Sequence, residues 1–505
     1  MIEFRNVSFS YEKHGDQRDN EDADSLQNID LTIEDGECVL LCGKSGCGKT
    51  TVTRLVNGLI PHFYQGKLTG EVLLNGQNIS EMPMYETASI VGSVFQNPRT
   101  QFFNVDTDSE VAFGVENRAL PQEQIEERVA VTAKDMNIEN LLGRNIFSLS
   151  GGEKQKIAFA SVYAMDPSIY LLDEPSSNLD MATIAALKAH LQLLRSQGKT
   201  ILIVEHRLHY LMDIADRIVV FDSGRIIGKF TAKEFIALSD EKRQAMGLRT
   251  TNLRGETPRA FAVTGCETKL QLKNVSLFYK KIPILRNVNA KIASGEVVAL
   301  VGNNGAGKTT FSRAVCGLHK WSQGDFVWNG LPFPEKKRRK LSYMVMQDVN
   351  YELFADSVET ECSFGIKEPD LELVSRTMKE LDLIPLKSRH PGTLSGGQKQ
   401  RVAVAVSQIC KKELIVFDEP TSGLDYESME RVAKIVRSLS AQGKIIFVVT
   451  HDFEFLCRTC SRMLVFRDGE ISYDMNICED NAEQIKFMFF SSCNIEKEGD
   501  DHGEE

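Results

Sequence analysis

The sequence predicts an α/β protein built from two tandem homologous halves, each folded around a largely parallel sheet. Three observations carry that expectation: the chain repeats itself, short β-rich runs alternate with helical patterns inside each copy, and each copy places a glycine-rich loop after an early apolar run. A length of 505 residues is also too great for one core at about 100–200 residues per domain.

The repeat is dense. Leu40-Leu41-Cys42-Gly43-Lys44-Ser45-Gly46-Cys47-Gly48-Lys49-Thr50-Thr51 recurs as Ala299-Leu300-Val301-Gly302-Asn303-Asn304-Gly305-Ala306-Gly307-Lys308-Thr309-Thr310, an offset of 308 − 49 = 259. Leu149-Ser150-Gly151-Gly152-Glu153-Lys154-Gln155 recurs as Leu394-Ser395-Gly396-Gly397-Gln398-Lys399-Gln400, Asp173-Glu174 as Asp418-Glu419, and His206 as His451. These later offsets, 395 − 150, 418 − 173 and 451 − 206, are all 245, so the second half of each copy tolerates no net insertion. Upstream, Gln96 and Gln347 differ by 251 and Tyr11 and Tyr279 by 268, so the first copy carries the surplus.

Runs at 38–42, 169–172 and 200–204, matched by 297–301, 414–417 and 444–450, read as strands buried on both faces of a parallel sheet. The surplus includes 12–25, whose acids Asp16, Asp19, Glu21, Asp22 and Asp24 indicate a solvated loop. The expected organisation is a first domain at 1–238, a linker at 239–268, a second domain at 269–478, and an extension at 479–505 whose acidic end, 496–505, reads as disordered.

Composition narrows the partners. No stretch reaches the roughly 18 apolar residues of a spanning helix, and the polar start of the chain does not open a signal peptide. With 59 Lys+Arg against 70 Asp+Glu the net charge is −11, which opposes general affinity for nucleic acid or acidic lipid, so any phosphate is held locally. Eleven cysteines are too sparse for a disulfide scaffold and read as reduced thiols of the cytoplasm.

The chemistry follows from residue types in order. A glycine loop between strand and helix turns backbone N–H groups toward phosphate oxygens, and Lys49 or Lys308 adds a point charge. Thr50 and Thr309 offer a hydroxyl to Mg²⁺, while Asp173 and Asp418 end neighbouring strands and can hold the same ion. Glu174 and Glu419 place a second carboxylate where water must be oriented or deprotonated. His206 and His451, each after a strand, are candidates to meet the terminal phosphate or the water.

Together these residues resemble the nucleotide-binding subunits of ABC transporters, here as two fused copies covering nearly the whole chain. The resemblance implies two tandem ABC-type phosphate-loop NTPase domains, each with a mixed sheet core and an α-helical subdomain bearing the Leu-Ser-Gly-Gly-x-x-Gln signature. It implies ATP and Mg²⁺ as the bound groups, with the copies acting as an intramolecular pseudo-dimer. One ATP is expected between the Gly43 to Thr51 loop and Ser395, Gly396 and Gly397, the other between the Gly302 to Thr310 loop and Ser150, Gly151 and Gly152. Tyr11 and Tyr279 match the aromatic that stacks on adenine. Gln96 and Gln347 match the glutamine that senses Mg²⁺ and links to a membrane partner, and Asp180 and Asp425 match the loop that signals between sites. Because every catalytic residue is present twice, two hydrolytic sites are expected.

Among tandem members, the intact second loop argues against a fused sugar-import ATPase, and a short, non-basic linker argues against a ribosome or assembly factor. The segments Gln96-Asn97-Pro98 with Gln101-Phe102-Phe103, and Met346-Gln347-Asp348 with Leu353-Phe354, resemble the ATPase component of energy-coupling-factor importers for vitamins or transition-metal ions. That resemblance implies an integral membrane scaffold and a separate substrate-capture membrane protein as partners, with this chain peripheral on the cytoplasmic face of the cell membrane. Asp106, Asp108 and Glu110, with Asp356, Glu359 and Glu361, are expected to receive basic residues of the scaffold. Lys336 to Lys340 reads as a solvated helix face, and Cys457 and Cys460 lack the second pair of ligands a metal site needs. Cys47 is the one thiol whose loop dipoles and neighbouring Lys49 could favour thiolate.

Overall fold

Strands Cys38–Gly43 and Val297–Val301 are buried at every residue, as the uninterrupted apolar runs require, and they lie inside six-stranded sheets. The computed structural model describes residues 1–12, 26–177, 179–259, 261, 265 and 267–491. Most of the acidic loop, the acidic tail and part of the linker fall outside them. The chain divides into two compact units: Met1–Leu179 with Thr183–Thr251, and Asp180–Ala182 with the chain from Asn252 onward.

In the first unit the six-stranded order is Arg225–Thr231, Arg217–Asp222, Cys38–Gly43, Thr200–Val204, Ile169–Asp173, Val91–Val94. Only the first of these pairings is antiparallel. A separate antiparallel sheet, Leu26–Ile33, Ile2–Tyr11, Gly66–Leu74 and Gln77–Asn78, faces it. The second unit repeats both layers. Its six strands run Ser342–Val345, Leu414–Asp418, Ile445–Val449, Val297–Val301, Arg462–Arg467, Glu470–Asn476, and its four run Ile282–Ala293, Thr268–Tyr279, Ser322–Trp328, Leu331–Pro332.

The two layers of each unit enclose one core. In the first, Ile2, Phe4, Val7 and Phe9 meet Val39, Leu41, Leu171 and Val219 around helix Lys49–Val56. In the second, Leu270, Leu272, Val275 and Leu277 meet Val298, Leu300, Val416 and Phe447 around helix Lys308–Val315. Each such buried side chain contributes roughly 1.5–3 kcal/mol, and a cavity at Leu300, as in Leu300→Ala, costs about 2–5 kcal/mol. Helices Thr107–Glu116, Gln122–Asp135 and Gly151–Ala164 form the helical part of the first unit, answered by Val358–Ser363, Leu371–Glu380 and Gly396–Ile409.

Composition places the start of the linker too early. Residues 239–251 form helix Asp240–Ala245, bury Arg243, Arg249 and Thr250, and belong to the first unit. A Cβ at Gly247 would stand 2.6 Å from Cγ of Lys44, so this stretch packs against the stem of a loop lysine. Charge alone could not reveal that, because long cationic stems cover apolar surface while their heads stay polar. The basic run at 336–340 lies wholly in helix Glu335–Leu341, yet Arg338 is buried with its guanidinium 3.7 Å from the Phe326 ring centroid.

Candidate functional site

Sheet register assembles the site in each unit. Asp173 pairs with Val204 and Asp418 with Val449 in parallel ladders, so each Asp-Glu pair emerges beside the strand that ends just before His206 or His451. The chain then turns sharply. Glu174 and Glu419 adopt φ of 46° and 54°, the left-handed region that non-glycine residues enter at about 1–3 kcal/mol. Their N–H groups donate to Val204 at 2.8 Å and Val449 at 2.9 Å, which holds the turn. Glu174 Oε1 then lies 3.3 Å from His206 Nε2, and Glu419 Oε1 lies 3.6 Å from His451 Nε2.

The glycine loops are set by sterics. At Gly43 and Gly302, φ is 144° and 148°, and a Cβ would fall 2.1 Å and 2.3 Å from the carbonyl oxygens of Phe221 and Phe466. Only glycine fits there. Gly48 and Gly307 then open the two loop helices without a side-chain cap, leaving the first N–H groups for an anion. Lys49 Nζ donates to Gly43 and Lys44 carbonyls at 3.1 and 2.8 Å, and Lys308 Nζ to Gly302 and Asn303 at 2.6 and 3.0 Å. Each ammonium is thus held at the inner rim of its loop.

In each unit the expected threonine hydroxyl and aspartate meet, Thr50 with Asp173 and Thr309 with Asp418. Thr309 Oγ1 donates to Asp418 Oδ2 at 3.0 Å, and in the first unit Thr53 Oγ1 approaches Asp173 Oδ2 at 3.5 Å. Burial, and then the neighbouring Glu174 carboxylate, push Asp173 up to about 7; burial also raises Asp418. Crowded buried acids beside threonine hydroxyls are a hard oxygen donor set that suits Mg²⁺, whose charge would relieve the crowding. Glu174 differs. Burial opposes its ionisation, but His206, Lys49 and a 2.6 Å bond from Gln96 Nε2 hold its carboxyl below the usual range.

Signature residues Ser150 and Ser395 cap their helices reciprocally. Ser150 accepts from Glu153 N at 3.3 Å while Glu153 accepts from Ser150 N at 2.7 Å; Ser395 and Gln398 do the same at 3.4 and 3.0 Å. Helices Gly151–Ala164 and Gly396–Ile409 therefore begin at Gly151-Gly152 and Gly396-Gly397 with their N–H groups directed outward. Asp425 caps helix Tyr426–Ala441 by accepting from Ser428 N at 2.6 Å, and Asp180 is buried.

The two tyrosines are presented differently. Tyr11 Oη accepts from Arg54 at 2.8 Å and lies 3.3 Å from Thr51 Oγ1, with Arg54 stacked 4.1 Å over Tyr64. Tyr279 is 57 % exposed and meets Trp321 edge-on at 5.8 Å. Neither Arg54, Tyr64 nor Trp321 was singled out from sequence, although Arg54 recurs as Arg313 at the loop's own offset of 259.

One expectation is overturned, and another in part. Cys47 is buried in the core of the first unit and burial raises its thiol, outweighing Lys49 at 3.6 Å, so it is a packed apolar side chain rather than an activated thiolate. The acids read as docking residues are largely engaged within their own units. Glu110 accepts the N–H groups of Phe103 and Asn104, and Glu361 those of Phe354 and Ala355; both are about as buried as core leucines. Asp106 caps helix Thr107–Glu116 through Ser109 N, and Asp108 accepts from Gly143 N. Buried carboxylates persist only where donors replace water. Asp356 and Glu359 remain exposed. Burial likewise raises the thiols of Cys457 and Cys460, the latter to about 12, in keeping with packing roles.

A phosphate-cradling loop, a metal-side aspartate, a following glutamate and a facing histidine, present in both units, define a phosphate-loop ATPase. The ABC transporter family matches residues 26–177 and 285–422, and the chain belongs to that family. It is an ATPase that works with ATP and Mg²⁺. A Treponema denticola protein named for ABC transporter ATP binding is 48 % identical over 495 residues, spanning 97 % of this chain and 99 % of the relative. One from Methanosarcina mazei, similarly named, is 32 % identical, spanning 94 % and 88 %. Among solved structures, a chain from a model of ribosome-bound archaeal Pelota and ABCE1 superposes with a TM-score of 0.69 at 23 % identity, covering 95 % of this chain and 80 % of that one. That likeness is one of fold.

Proposed function

We propose that the chain is the ATP-hydrolysing motor of a membrane importer of the energy-coupling-factor type, carrying a vitamin or a transition-metal ion. One observation carries the reading: each unit presents a braced, exposed aromatic beside its Gln96 or Gln347 segment. Phe103 is 76 % exposed while stacked on Phe113 at 4.8 Å, and Phe354 is 69 % exposed; the buried Glu110 and Glu361 hold both backbones. Rings that large, kept in water on a rigid segment, suit an apolar partner element. No described helix is long and apolar enough to cross a membrane, so the partner supplies the spanning part.

In this reading Lys49 and Lys308 hold the terminal phosphates, and Thr50, Asp173 and Gln96, with Thr309, Asp418 and Gln347 in the second unit, would hold Mg²⁺, which would supply charge neutralisation at the phosphates. Glu174 and Glu419 orient and deprotonate the water, and His206 and His451 fix those glutamates.

The test is co-purification. Phe103→Glu with Phe354→Glu is expected to abolish recovery with an integral membrane protein, while retained ATP binding reports folded units. Undiminished recovery would remove Phe103 and Phe354 from the docking surface, and sedimentation of the unaltered chain with ribosomes and no membrane protein would replace this reading with that of an assembly or ribosome factor.

A further inference from the structure

Around the two histidines, four positions separated by 245 residues are exchanged as a set. Ser176, Glu205, Arg207 and Tyr210 of the first unit stand where Thr421, Thr450, Asp452 and Phe455 stand in the second. In the second unit the links are short and centre on the buried Asp452 carboxylate, which accepts two of the three. Thr421 Oγ1 donates to Asp452 Oδ2 at 2.7 Å, Asp452 N donates to Thr450 Oγ1 at 3.0 Å, and Phe455 N to Asp452 Oδ1 at 3.1 Å.

The first unit uses a buried acid and a buried base instead. Glu205, 2 % exposed, accepts from Ser176 N at 3.1 Å, His206 N at 2.7 Å, Arg207 N at 3.2 Å and Tyr210 Oη at 2.9 Å. Arg207, also buried, donates to the carbonyls of Leu179 at 3.1 Å and Ser176 at 3.4 Å. One carboxylate and one guanidinium thereby span the loop that follows Glu174 and the backbone that carries His206. A buried charge so fully hydrogen-bonded is costly to move, because any displacement leaves it unsatisfied.

We propose that Glu205 and Arg207 are positioning residues for ATP hydrolysis in the first unit, pinning the His206 backbone and the backbones of Ser176 and Leu179 so that the imidazole stays against Glu174. The proposal rests on the roles given above to Glu174 and His206. It holds the first site through a buried carboxylate and a buried guanidinium, where the second relies on a single buried aspartate. Removing the acid alone leaves the N–H groups of Ser176, His206 and Arg207 and the Tyr210 hydroxyl without their acceptor, whereas exchanging all four residues supplies the other working solution.

The experiment uses the full chain carrying Glu419→Gln, so that turnover reports the first unit, and reads kcat and KM for Mg-ATP. Glu205→Thr is expected to lower kcat at least tenfold with KM within twofold. The exchange Ser176→Thr, Glu205→Thr, Arg207→Asp, Tyr210→Phe is expected to return kcat to within threefold of the parent. Tyr210→Phe, which keeps the ring, is expected to lower kcat two- to threefold, and it decides the matter should Glu205→Thr not accumulate folded. Undiminished kcat in Glu205→Thr or in Tyr210→Phe, or a four-residue exchange as slow as Glu205→Thr, overturns the proposal. His206→Ala separates the two ideas: if it is slow while Glu205→Thr is fast, only the pinning fails, and if it is fast, the role of His206 fails and takes the pinning with it.

Discussion

Behind each glutamine segment, the side chain five residues on braces the backbone, but with different chemistry. In the first unit Gln101 accepts from Phe95 N at 3.3 Å and returns a bond from its amide to Ser93 O at 3.2 Å. In the second, Glu352 stands at the matching position, accepts from Met346 N, and has its other oxygen buried without a hydrogen-bond partner among the described residues. Burial, opposed by the Met346 bond and reinforced by Asp418 and Glu361, raises Glu352 to about 8. Duplication has preserved the backbone geometry while letting the proton requirement diverge. An amide makes both contacts at any pH, whereas the acid, with one oxygen buried and unpartnered, suits the site only while it keeps its proton.

The comparison can be broken most severely at the glutamates. Glu174→Gln with Glu419→Gln is expected to reduce ATPase activity by about 10²-fold or more while ATP stays bound. The single variants, assayed for turnover and for trapped nucleotide, measure how unequally the units share the work. Equal residual rates would argue that the different histidine networks are functionally equivalent.

Glu352→Gln comes next. The folded state holds this proton more tightly than the unfolded chain, whose carboxyl titrates near 4.5. Burial therefore costs nothing below that value, and stability is lost as pH rises from about 4.5 through about 8. The glutamine should remove that loss, stabilising the second unit by a few kcal/mol at pH 9 and by nothing at pH 4. Urea midpoints across that range check it. Gln101→Glu should install the same slope in the first unit.

The adenine-side tyrosines give a smaller contrast. Tyr279→Ala should raise KM for ATP by about five- to tenfold at the second unit, since an exposed ring is free to stack. Tyr11→Ala should also loosen Arg54 and helix Lys49–Val56, and so lower the melting temperature as well as affinity. Smallest is Cys47→Ala, at about 1 kcal/mol of stability for a lost buried sulfur. The native Cys47 should resist alkylation until the unit unfolds, with or without ATP; fast labelling would restore the activated-thiolate idea.

Much of each site was legible from the repeat, because the loop lysines, the Asp-Glu pairs and the histidines occupy positions that only one backbone geometry serves. The register of Asp173 on Val204 and Asp418 on Val449 shows why the 245 spacing is rigid: parallel neighbours cannot slip without moving acid away from imidazole. Glu205, Arg207 and Glu352 were not legible, because they are positions where the copies disagree. A search for matches passes over them, although a mismatch of charge beside an invariant histidine was itself a signal. Glu110 and Glu361 misled for a related reason, since composition reads an acid near a helix start as surface and cannot see the N–H groups folding back onto it.

By itself, then, the amino-acid order determined the duplicated α/β architecture and the identity of the phosphate and metal groups, since glycine conformational freedom, strand hydrophobicity and fixed spacing are local properties. Tertiary structure decided which charges are buried, which rings are exposed and which carboxyl keeps its proton. Those depend on the desolvation and hydrogen-bond donors that distant segments bring to a side chain, and no local pattern carries that information.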